Sequence, residues 1–117
     1  MSYMLLIIEP AGQRAERTEA EGKALYASMM KFSEDLKARG LLKISQSLRS
    51  DTAGVRVEVR DGRRVTQDGP FAETKEIVGG FFLLYCDTRE QAVQIAAQCP
   101  AAQWATVEVR ELGPCFS

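Results

Sequence analysis

Asp68, Glu73, Lys75 and Glu76 place four charged side chains in a nine-residue run, Asp68-Gly-Pro-Phe-Ala-Glu-Thr-Lys-Glu76, that holds a single large apolar residue. Carboxylates and an ammonium group this close together can share acid–base work on a polar molecule. Asp68 is the leading candidate for acid, base or hydrogen-bond acceptor, with Lys75 as its electrostatic partner. In an extended backbone Glu73 and Lys75 point to one side, Thr74 and Glu76 to the other. Such placed charges beside an apolar cavity would hold a small polar ligand, so Glu73 and Glu76 are ligand-binding candidates. Arg49, Arg56 and Tyr85 are further pocket candidates. A plain structural reading stands beside this one. Asp, Gly and Pro build turns, Phe71 anchors the loop, and exposed charge pairs contribute roughly 0–1 kcal/mol.

Absent residue types narrow the chemistry. The 117 residues contain no histidine. A Ser-His-Asp or Cys-His arrangement is therefore excluded within the chain, as is a histidine-based zinc or iron site. Acid–base work falls to a carboxylate or a lysine, and neither a metal nor another cofactor is expected. Cys86, Cys99 and Cys115 are odd in number and have no metal or redox spacing. Cys86 ends an apolar run and reads as core; the other two carry no pattern. Acidic and basic residues are interleaved at a net charge of −1, which leaves no footprint for nucleic acid or a membrane surface. Met4–Ile8 is too short to span a bilayer. With no export signal, a cytoplasmic protein with free thiols is expected.

The elements that must position these residues follow from periodicity. Residues 3–8 read as a buried first strand, closed by Pro10-Ala-Gly12. Thr18-Glu-Ala-Glu21 is a capping box opening a helix whose Leu25, Met29, Phe32 and Leu36 share one face. Gly40 suits the left-handed position just past its end. A short strand falls within 41–48. Val55, Val57 and Val59 alternate with charged residues, which predicts a strand with one buried face, and Asp61-Gly62 is a hairpin turn. Residues 77–86 are the strongest strand, entered through Gly79-Gly80, a bulge or a close backbone approach. Asp87 or Thr88 caps a second helix that Pro100 stops. Residues 105–111 alternate as a last strand.

The order β-α-β, hairpin, β-α-β predicts a single α+β domain over residues 1–117, a ferredoxin-like two-layer sandwich with an antiparallel sheet. Two helices cover one sheet face, yet Phe81-Phe-Leu-Leu-Tyr85 is apolar at every position. The other face therefore wants a partner, and a second copy of the chain is the simplest one.

The Asp68–Glu76 run resembles the signature of the DGPF branch of the YCII-related proteins. Met4-Leu-Leu-Ile-Ile-Glu9, Val57-Glu-Val-Arg-Asp-Gly62, Gly79-Gly-Phe-Phe-Leu83 and Pro100-Ala-Ala with Val107-Glu-Val-Arg110 are similar to that family's patterns. The resemblance implies a dimeric α/β barrel, with two ferredoxin-like subunits packed sheet to sheet. The wider group pairs a histidine with an aspartate; without a histidine, this chain cannot carry that pair. Two functions stay open: a small metal-free enzyme acting on a small polar molecule, or a non-catalytic small-ligand binding or regulatory protein.

Overall fold

A computed structural model describes residues 2–117. The strands are β1 (Ser2–Pro10), β2 (Leu42–Ser47), β3 (Val55–Arg60), β4 (Arg63–Asp68), β5 (Glu76–Tyr85) and β6 (Thr106–Glu111). The α-helices are α1 (Glu19–Ala38) and α2 (Arg89–Gln98). Four strands form one sheet in the order β2-β5-β1-β6, every neighbouring pair antiparallel. This is the ferredoxin-like α+β sandwich. The hairpin β3–β4 is inserted at its middle and forms a separate two-stranded sheet.

Local chemistry sets the element boundaries. The capping box at Thr18 is complete: Glu21 N–H donates to Thr18 Oγ1, and Thr18 N–H donates to a Glu21 carboxylate oxygen. Gly40 takes φ 72° just past α1. Asp61 and Gly62 both have positive φ, 52° and 74°, as a tight two-residue hairpin turn requires. Thr88 caps α2 by accepting from Gln91 N–H. The side chain that answers this cap is Gln91, which accepts from Asp87 N–H.

The core lies between the helices and one sheet face. Tyr3, Leu5 and Ile7 of β1 and Phe82 and Leu84 of β5 meet Phe32 and Leu36 of α1 and Ala92, Ile95 and Ala96 of α2. Phe32 meets Phe82 edge to face, ring centres 5.3 Å apart. Cys99 is almost fully buried in this core beside Met29, so it packs as a small hydrophobe, as Cys86 does. Cys115 is exposed.

Two faces remain bare. On the sheet face away from the helices, Met4, Leu6 and Ile8 alternate with the core residues of β1. Phe81 and Leu83 do the same on β5, and all five are only half-buried. The second bare face is on the hairpin. The alternation expected for β3 is present, but its valine face is not buried: Val55, Val57 and Val59 are 55%, 58% and 62% exposed. The hairpin pairs only with itself, and nothing else among the described residues covers this face. It also stretches the molecule. The radius of gyration is 16.0 Å, against about 13 Å for a compact chain of this length.

Candidate functional site

The first half of α1 stands away from the sheet. Phe32 and Leu36 in its second half are its buried residues, whereas Tyr26 and Met30 are 56% and 45% exposed. The gap is a cleft of about 760 Å³, within the range of small-molecule sites. Leu25, Tyr26, Met29 and Met30 line it from the helix, Ile7 and Phe82 from the sheet, and Trp104 from beyond α2. A contact between Ser33 Oγ and Ser45 Oγ at 2.8 Å ties α1 to β2 beside it.

Glu9 and Arg14 form the polar part of this cleft. β1 alternates with period two, so Glu9 shares the core face of Tyr3, Leu5 and Ile7 and is 4% exposed. Arg14 sits on a short 3-10 turn, Gln13–Glu16, just after β1. Its Nε lies 2.7 Å from Glu9 Oε1, while its two terminal nitrogens donate to the carbonyls of Leu48 at 2.7 Å and Gly79 at 3.2 Å. One guanidinium thereby joins the ends of three strands and neutralises a buried carboxylate, which burial requires. The Glu9–Arg14 contact is ionic and off-line: Oε1 is buried and has no aligned hydrogen bond.

Gly79 makes the pair possible. A Cβ there would lie 2.7 Å from the Glu9 carboxyl carbon and 2.9 Å from the Arg14 guanidinium. Gly80 lets β2 approach, since its Cβ would meet the Gln46 carbonyl at 2.8 Å. The β1–β5 register also slips between Ile7 and Ile8, opposite these glycines. Both expected roles, bulge and close approach, are present.

The signature run lies at the root of the hairpin. A Cβ on Gly69 would run into the Asp51 carbonyl oxygen, and Gly69 N–H donates to Gly54 at 2.8 Å. Phe71 is buried, with the Arg56 guanidinium 4.0 Å above its ring, and Arg56 donates to Thr74 Oγ1. The Lys75 carbonyl accepts from Ala11 N–H at 2.8 Å. The backbone and Phe71 therefore fasten the hairpin to the body. The side chains of Asp68, Glu73, Lys75 and Glu76 are exposed, and no ion pair joins them among the described residues. Arg49 and Glu76 line one smaller hollow of about 410 Å³ together with Asp51, Arg56 and Phe71. Asp68, Glu73 and Lys75 line neither hollow. Tyr85 is half-exposed at the far end of β5, under Lys43.

Glu9, Arg14 and the cleft were missed at the level of sequence. A signal existed for Glu9: it extends the series Tyr3, Leu5, Ile7 on one strand face, and an acid on a buried face needs a partner. Arg14 had no comparable mark.

The YCII-related domain matches residues 1–115. The chain belongs to the YCII-related family. An uncharacterized protein of Rhizobium meliloti (strain 1021) is 38% identical over 63 residues, which cover 52% of this chain and 51% of that one. The chain thus spans about half the length of the curated relative it matches. Among solved structures, it is similar to the 5-chloro-2-hydroxyhydroquinone dehydrochlorinase of Burkholderia phenoliruptrix AC1100, solved with 2,5-dihydroxybenzoquinone. The TM-score is 0.52 at 13% identity, over 97% of this chain and 94% of that one. That likeness is one of fold. Among the described residues, no helix is long and apolar enough to cross a membrane, and no cluster of three or more His, Cys, Asp or Glu could hold a metal ion.

Proposed function

We propose that this YCII-related protein, of the DGPF branch, is a small metal-free enzyme that moves a proton on a small, planar, hydroxylated molecule. The substrate lies in the cleft between α1 and the sheet. One observation carries the reading: Glu9 Oε1 is a buried carboxylate oxygen at the cleft with no aligned hydrogen bond. Arg14 Nε lies 2.7 Å from that oxygen but off-line, and a ligand hydroxyl would add an aligned donor. Glu9 takes the proton and returns it, so the step needs no redox partner. Arg14, spent on Glu9 and two carbonyls, is a positioning residue. Met29, Tyr26 and Trp104 offer an apolar bed for a ring. A fold neighbour bound to 2,5-dihydroxybenzoquinone supports the ligand class. Asp68, Lys75 and Glu73 lie outside the cleft, so the proton-transfer role passes to Glu9. Arg49 and Glu76 remain candidates for a ligand group reaching the smaller hollow.

We also infer a homodimer paired through the bare sheet face of Met4, Leu6, Ile8, Phe81 and Leu83. The pairing buries the apolar surface that the helices leave open.

The test is a thermal-shift and turnover screen against hydroxylated benzoquinones, catechols and related small rings. A compound that binds only the native state raises the melting temperature. Glu9→Gln is expected to keep the fold and lose turnover by roughly a hundredfold or more, as for loss of a general base. Full turnover in Glu9→Gln contradicts the assignment. Saturable binding without turnover in the native protein favours the non-catalytic alternative.

A further inference from the structure

Gly22 lies inside α1, just past the Thr18–Glu21 capping box, and lines the cleft. A glycine within a helix lowers stability, because it loses more backbone freedom on folding than alanine does. Nothing in the fold offsets that loss. Gly40 and Gly62 take positive φ, and Gly79 and Gly80 admit close neighbours. Gly22 has helical backbone. A Cβ on it would meet nothing within 4 Å among the described residues, the helix's own backbone aside. Its position deepens the loss. A helix opened by a capping box often packs an apolar side chain from this position against one just before the cap. The box at Thr18 is complete, yet those two positions hold Gly22 and Arg17, and both line the cleft. The helix thus gives up two sources of stability on a turn that faces the cleft.

We propose that Gly22 is a specificity-determining residue of the cleft: its bare backbone is the wall against which the flat face of the bound ring lies. The proposal rests on the reading of the cleft as a ligand site. It adds the residue that sets how thick a ligand fits between α1 and the sheet. Glycine allows a ligand to approach the backbone more closely than any side chain would. Tyr26 stands one turn further along the same helix face, lines the cleft and is 56% exposed, which extends the bed for a ring. On the sheet wall, Glu9 is 4% exposed and its Oε1 has no aligned hydrogen bond. A helix residue that weakens the fold and a buried carboxylate oxygen short of a donor line one cleft, and a bound ring answers both.

The experiment measures melting temperature and, by calorimetric titration, the affinity for 2,5-dihydroxybenzoquinone on the full chain. It compares the native protein with Gly22→Ala, Gly22→Leu and Glu9→Gln. Gly22→Ala is expected to raise the melting temperature by roughly 2–6 °C and to weaken the quinone about tenfold, as an overpacked contact does. Gly22→Leu also favours helix; it is expected to melt no lower than the native protein and to bind no quinone. Both variants are expected to keep the native sedimentation mass, twice 13.0 kDa. A Gly22→Ala protein that melts below the native one overturns the proposal, because the fold then needs the glycine. A changed sedimentation mass in either Gly22 variant overturns it too, by placing Gly22 between copies of the chain. Native affinity in both Gly22 variants, with binding lost in Glu9→Gln, overturns the wall and leaves the cleft reading intact. Loss of binding in both, with native affinity in Glu9→Gln, supports the wall and contradicts the Glu9 assignment. A native protein that binds neither this quinone nor any other ring of the screen overturns both.

Discussion

Arg14 shows how much one side chain can hold. Its three guanidinium nitrogens reach Glu9, Leu48 and Gly79. Removing one partner of a buried pair costs roughly 3–5 kcal/mol, because the remaining charge is stranded. Arg14 is about a third exposed, so water offsets part of that loss. Arg14→Met is therefore expected to lower stability by about 2 kcal/mol, read as a shift of the urea midpoint at unchanged slope. A midpoint within error of the native protein would mean that the pair positions nothing. The same residues show where sequence patterns stop. The strand pattern places Glu9 on the buried face, but its partner lies on a turn whose path no local propensity encodes. Asp68, Glu73 and Lys75 drew attention through density of charge. Within the same run, Gly69 clears the Asp51 carbonyl and Phe71 is buried, so those two positions answer a packing need.

At the scale of elements, α1 combines a strongly determined start with a loosely packed first half. The capping box was legible because it is a local pattern of residue types. The cleft was not, because it depends on how far the helix tilts from the sheet, which Leu25, Met29, Phe32 and Leu36 on one face do not specify. The cap makes a prediction about pH. Hydrogen bonds from the Thr18 backbone and side chain hold the Glu21 carboxyl below its ordinary value, with Arg17 a lesser contributor. A depressed folded value stabilises the protein above the unfolded value and is lost as pH falls through the folded one. The melting temperature of the native protein is thus expected to fall over this acid range by more than that of Glu21→Gln. Parallel curves for the two proteins would contradict a working capping box. The β3–β4 hairpin teaches the complementary lesson. Alternation and Asp61-Gly62 identify it correctly, but alternation reports only which side chains share a face, not whether that face is buried, and here it is exposed.

For the whole molecule, the order of elements and the hydrophobic periods are enough to reach the ferredoxin-like sandwich. They also reach the excess apolar surface of β5. The cleft under α1 and the bare apolar face proposed for association lie on opposite sides of one sheet. Three of the four methionines make this separable by a single measurement. Met29 and Met30 line the cleft, and Met4 lies on the bare sheet face. Methyl-labelled methionine resonances, followed during titration with 2,5-dihydroxybenzoquinone and then the remaining hydroxylated rings, report on both places at once. Saturable shifts are expected at Met29 and Met30 with Met4 unmoved, and those shifts are expected to be lost in Glu9→Gln. Shifts confined to Met4, or none at Met29 and Met30 with any ring tested, would contradict the cleft assignment.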